Sequence, residues 1–136
     1  MNAKRLRASM FIGAAYDLAV GATIVTALEP LSKLLPIPFP TEPFYARMQG
    51  VLLIGLGVFY AFAAHDLERN LRNVAGAIVI RLLGGAYLHA SVVLAGVAPF
   101  FHVFAAVDVA FGLVHLVLLR TERRARFWPL LLRGQT

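Results

Sequence analysis

The sequence predicts an all-α integral membrane protein, an up-down bundle of four helices with both termini in the cytoplasm. Three observations carry this prediction. Hydrophobic residues make up 60% of the 136-residue chain and charged residues 15%, against roughly 45–50% and 25% in an ordinary soluble domain. Four apolar runs each approach the ~20 residues needed to cross a ~30 Å hydrocarbon slab. Ten of the thirteen Lys and Arg residues fall at the ends that an even-numbered bundle would place on one side of the bilayer, and the positive-inside rule makes that side cytoplasmic.

The chain opens with a basic arm carrying Lys4, Arg5 and Arg7, followed by a first apolar run over 8–28. This run is longer than the ~7–15 residues of a signal-peptide core and contains Asp17, so it reads as a membrane span. Residues 29–45 hold five of the seven prolines (Pro30, Pro36, Pro38, Pro40, Pro43) interleaved with Leu31, Leu34, Leu35, Ile37, Phe39 and Phe44. Proline at this density forbids a continuous helix. The segment is also too apolar for a solvated linker, which predicts a Pro-rich cap between helices 1 and 2. The second run spans 46–64, with Arg47 at its start. A polar loop follows at 65–73, with Asp66, Glu68, Arg69 and Arg72. The third run, 74–97, is interrupted by Arg81, and an uncharged turn leads to the fourth at 100–119. The tail, 120–136, carries Arg120, Arg123, Arg124, Arg126 and Arg133 among Phe127, Trp128 and Leu130–Leu132. That composition predicts an interfacial segment touching anionic lipid of the inner leaflet. The net charge of +6 is therefore a membrane-orientation signal, and no nucleic-acid partner is expected.

Two segments stand out within the apolar runs. Ala14-Ala15-Tyr16-Asp17-Leu18-Ala19-Val20-Gly21 in the first and Ala105-Ala106-Val107-Asp108-Val109-Ala110-Phe111-Gly112 in the fourth share the pattern A-A-x-D-x-A-x-G. A carboxylate at that depth costs ~2.5–3.5 kcal/mol on insertion scales and is expected to face a bundle interior. Gly13, Asp17 and Gly21 share one helix face, as do Asp108, Gly112 and His115, and the small residues let a neighbouring helix approach. The candidate partners are Arg47 and Arg81, each opening an R-x-x-G pattern. Arg81 lies ~10 Å and Asp108 ~18 Å from the inner face at the helical rise, an offset that an extended Arg side chain and a tilted helix can span. Arg47 begins near the outer face and fits Asp17 less well. Arg81–Asp108 is thus the predicted pair, and Asp17 the less compensated carboxylate, the property a proton relay would use. Three roles stay open for the charges: fixing helix register, contacting a ligand, or carrying protons.

His89 and His102 are both placed near the outer face, where a pair on neighbouring helices could hold haem or a metal ion. No H-x-x-x-H or E-x-x-H spacing supports a metal site, and interfacial placement explains both residues equally. His115 lies toward the inner end. Tyr16, Gln49, Tyr60 and Tyr87 are polar groups within the spans that a quinone-like head group could use. With no cysteine there is no thiolate metal site, and no recognised catalytic motif is present.

The Arg-initiated second helix with Gly50-x-x-x-x-Gly55, the Pro-rich first loop and Ala63-Ala64-His65-Asp66-Leu67-Glu68-Arg69-Asn70 together resemble small bacterial membrane proteins of the DoxX-like group. That resemblance implies an accessory subunit linked to quinone-dependent oxidoreductases of the inner membrane, and supplies no catalytic motif to transfer. The function expected from the chain is an accessory or small-ligand-binding membrane subunit with a polar cluster of Asp17, Arg47, Gln49, Arg81, Asp108, His115, Tyr16 and Tyr60. It would act beside a membrane-protein partner or as a homo-oligomer. Two alternatives are a redox subunit holding quinone or haem directly and a proton-coupled carrier of small solutes.

Overall fold

A computed structural model describes residues 3–35, 37–123 and 125–133; Pro36 and Arg124 lie outside the described residues. All regular structure among them is helical. Helices α1 (Lys4–Thr26), α3 (Pro43–His65), α4 (Leu71–Ala95) and α5 (Phe101–Arg123) are long and apolar enough to cross a membrane. Two short helices, α2 (Leu28–Leu34) and α6 (Phe127–Arg133), accompany them.

The long helices begin and end where local chemistry directs. Helix α1 takes in most of the basic arm, since Lys and Arg are good helix formers. Helix α3 starts at Pro43, where a missing N–H costs nothing and the fixed φ already suits a helix. Helix α4 stops at Ala95 because Gly96 adopts φ 66°, the left-handed conformation that glycine enters without a Cβ penalty. The Pro-rich cap is partly helical: α2 tolerates Pro30 because it falls in the first turn, whose N–H groups have no intrahelical acceptor. Helix α6 accommodates Pro129 in the same way.

The long helices associate as two tight pairs, α1 with α3 and α4 with α5. Glycine sets the first seam. A Cβ on Gly21 would lie 2.6 Å from the carbonyl oxygen of Gly50, and one on Gly57 would lie 2.9 Å from that of Ala14. Residue numbers rise along α1 as they fall along α3, so the pair is antiparallel. In the second pair a Cβ on Gly85 would meet Ala105 O at 2.9 Å, and Gly112 faces Leu82, again antiparallel. The pairs are joined mainly through α1 and α5, and the Leu6 N–H donates to Glu122 Oε2 at 3.0 Å. The start of α1 and the end of α5 therefore share one end of the molecule.

That end is filled. Leu6, Met10, Tyr60, Leu67, Val74, Ile78 and Leu119 form a continuous core there, closed below by Phe127 and Leu130 of α6. The Arg72 guanidinium also donates to Leu131 O. The tail is thus folded onto the bundle, with Arg126, Trp128, Leu132 and Arg133 left exposed. An exposed ion pair, Arg123–Glu68 at 2.8 Å, lies at the same end, and the guanidinium holds the Glu68 carboxyl below the usual carboxylate range. Leu130 is 1% exposed, so Leu130→Ala is expected to cost about 2–5 kcal/mol. Thermal unfolding in detergent checks this, and an unchanged Tm would contradict the packing of α6. At the opposite end the two helix pairs are separated by a cavity.

Candidate functional site

The two regions, filled and open, meet at Arg81. Its position on α4, facing α1 and α5, lets the planar guanidinium fork between two carboxylates. Nη2 donates to Asp17 Oδ2 at 2.7 Å and to the Gly13 carbonyl at 3.3 Å, and Nη1 donates to Asp108 Oδ1 at 2.5 Å. Arg81 is 2% exposed and Asp17 0%, whereas the Asp108 side chain is 21% exposed. The predicted Arg81–Asp108 pair is present. Asp17 is paired as well, because α1 packs against α5 at the depth that brings it to the second arm of the same guanidinium, yet its Oδ1 is buried without a hydrogen-bond partner among the described residues, whereas Asp108 keeps some exposure.

Aromatic rings enclose the cation. The guanidinium carbon is 5.7 Å from the ring centre of Tyr16 and 5.1 Å from those of Tyr60 and Phe111, within cation–π range. Tyr60 donates its hydroxyl proton to Ala77 O at 3.3 Å. Its ring meets that of His115 edge-on, and His115 is fully buried. Six of the predicted residues, Tyr16, Asp17, Tyr60, Arg81, Asp108 and His115, are therefore one assembly. Arg47 does not join it. That residue is exposed near the start of α3; Gly50 sits opposite Gly21 and Gly57 opposite Ala14, so Arg47 lies beyond the level of Gly21, too far along the bundle to reach Asp17. Gln49 is separate from the triad and lines the open region instead.

The open region holds two adjacent cavities. The inner one, about 480 Å³, is walled by Val20, Leu52, Leu53 and Leu56 on the α1/α3 side. Ile80, Gly84, Tyr87 and Leu88 of α4 face them, and the polar end is Asp108 and Arg81. The outer one, about 720 Å³, lies beneath the Pro-rich segment, against Ile37, Phe39, Tyr45 and the Gly96–Ala98 turn. Ile24, Gln49, Phe101 and Phe104 border both, so the cavities adjoin, the outer one lying under the cap and the inner one reaching the Asp108 carboxylate. Each volume lies within the ~300–1,000 Å³ usual for small-molecule sites. Sequence reasoning missed Phe101, Phe104 and Phe111. The signal for Phe111 was its position three residues beyond Asp108, on the same helix face.

His89 and His102 do meet, with Nδ1 atoms 3.1 Å apart and ring centres 4.7 Å apart. Haem does not fit between them, because axial ligands stand on opposite faces of a macrocycle and these nitrogens leave no room for it. The spacing suits two adjacent ligands of one ion at ~2.0–2.1 Å each. However, no group of three or more His, Asp or Glu side chains placed to hold a metal occurs among the described residues. A hydrogen bond between the two rings accounts for the contact.

Compared with family models, with curated proteins and with solved structures, the chain has no match.

Proposed function

We propose that this protein is a four-helix inner-membrane protein, with both termini cytoplasmic, that binds a small amphipathic molecule in the cavity between its two helix pairs. One observation carries the reading: an apolar cavity of ligand size ends on a buried carboxylate–guanidinium–carboxylate triad, one member of which, Asp108, retains exposure toward it. Charges at such depth are expensive and mark binding sites or pathways in membrane proteins. Apolar walls with a few convergent polar groups are the composition of a small-molecule site.

Orientation rests on charge. Lys4, Arg5, Arg7, Arg69, Arg72, Arg120, Arg126 and Arg133 gather at the filled end, and the positive-inside rule makes that end cytoplasmic. The cavity then opens toward the outer leaflet, under the Pro-rich cap. Exposed Arg126, Trp128 and Arg133 suit contact with anionic lipid on the inner side. The DoxX-like resemblance would set the protein beside a quinone-linked oxidoreductase. A quinol hydroxyl is one donor that would match the Asp108 carboxylate. Direct haem ligation by His89 and His102 is not proposed, and the filled cytoplasmic half argues for binding over transport.

Gly84 supplies the test. Its position borders the inner cavity, and a Cβ there would meet only Asp108 Oδ2, at 3.4 Å. Gly84→Leu is therefore expected to fill the cavity while leaving the fold intact. Native mass spectrometry of protein released from its own membrane should show a small-molecule adduct on the wild type and lose it on Gly84→Leu. An adduct retained by the variant, or a bare wild-type chain, would refute the binding reading.

A further inference from the structure

The triad is unbalanced: two carboxylates share one guanidinium. Both terminal nitrogens of Arg81 are already engaged, Nη1 by Asp108 Oδ1 and Nη2 by Asp17 Oδ2 and Gly13 O. Asp17 is fully buried behind the guanidinium, so the carboxylate that meets the cavity, beside Arg81, is that of Asp108, whose Oδ2 makes no hydrogen bond among the described residues. Among the described residues, no other Arg and no Lys lines either cavity. With its charges ionised, the cluster presents a net single negative charge to an apolar chamber, where Coulomb interactions are far less screened than in water. Aromatic rings of Tyr16, Tyr87, Phe101 and Phe104 border the same chamber, and their faces attract cations.

We propose that the ligand is a cationic amphiphile, an ammonium head joined to an apolar body. The head would pair with Asp108 Oδ2 and neutralise the cluster, and the body would lie along Leu52, Leu53 and Leu56 toward Phe101 and Phe104. An anionic head is excluded by the carboxylate it would face, and a neutral head leaves the net charge in place. This inference rests on the cavity being a ligand site and adds the charge of the ligand to that reading.

Three probes of one chain length separate the two: octylamine, octan-1-ol and octanoate, at neutral pH, binding to the full chain in lipid nanodiscs, with protein-free nanodiscs and Gly84→Leu subtracting partition into lipid. The expected result is Gly84-dependent binding of octylamine roughly tenfold or more tighter than octanol, as befits a charge-assisted contact in place of a neutral one, with octanoate weakest. Asp108→Asn should bring octylamine to the level of octanol. Equal binding of octylamine and octanol by the wild type would overturn the charge assignment while leaving the cavity a ligand site for neutral donors such as a quinol. Tighter binding of octanoate would overturn it likewise. Absence of Gly84-dependent binding for all three would remove both readings together. The wild-type comparison decides the matter even if Asp108→Asn does not fold.

Discussion

Arg81→Met is expected to destabilise the protein more than any other single substitution, by about 3–5 kcal/mol, the cost of stranding buried charges by removing their partner. Here one deletion strands two carboxylates, Asp17 and Asp108, both held by the same guanidinium. Set against a typical total stability of about 5–15 kcal/mol, the loss should appear as a greatly reduced yield of folded protein and a lowered unfolding midpoint in detergent. Arg81→Lys should recover only part of it, since an ammonium has no planar fork to reach two carboxylates at once. Replacing the whole triad by apolar residues of similar size, Asp17→Leu with Arg81→Met and Asp108→Leu, should restore stability, as such replacements are often neutral or favourable. An Arg81→Met protein as stable as the wild type would contradict the paired geometry.

The second large effect is expected at the α1/α3 seam. Gly21→Leu would place a Cβ 2.6 Å from the backbone oxygen of Gly50 and 2.9 Å from the Ile54 side chain. A backbone atom cannot swing aside, so the two helices must separate along their length. Overpacking typically costs about 1–3 kcal/mol, and more is expected here because Val20, Ile24 and Gln49, which flank the seam, also wall the cavity. The control is Gly55→Leu, on the same helix as Gly50, where nothing lies within 4 Å and stability should be unchanged. Unfolding midpoints of the two variants, measured side by side, decide the point. Equal losses would mean that close approach at Gly21 is not what sets the cost, since Leu is the better helix former at both positions.

The four long helices were legible because run length and hydropathy depend on composition alone. The Arg81–Asp108 contact was legible because helical rise converts residue number into depth. Helix rotation is what the sequence withheld. Nothing in the spacing of Asp17 shows that α1 turns it toward α5 and Arg81; that depends on which glycines form the seam. Gly50 and Gly57 do, while Gly55 does not. The short helices were hidden by their prolines, since Pro30 and Pro129 read as helix breakers until their first-turn placement is known. The tail read as wholly interfacial because Phe127 and Leu130, which pack inward, alternate with Trp128 and Leu132, which remain exposed. The cavity had no sequence signal of its own. It arises where two glycine-bound helix pairs stand apart, and only tertiary packing creates it.

The central claim is that the triad forms the polar end of a ligand site and is more than a register device for the helices. Native mass spectrometry of the triple variant Asp17→Leu, Arg81→Met, Asp108→Leu, alongside the wild type, tests it most directly. The account predicts a folded variant that has lost the small-molecule adduct carried by the wild type. A folded variant that keeps the adduct would contradict it and leave Arg81 and its two carboxylates as architecture.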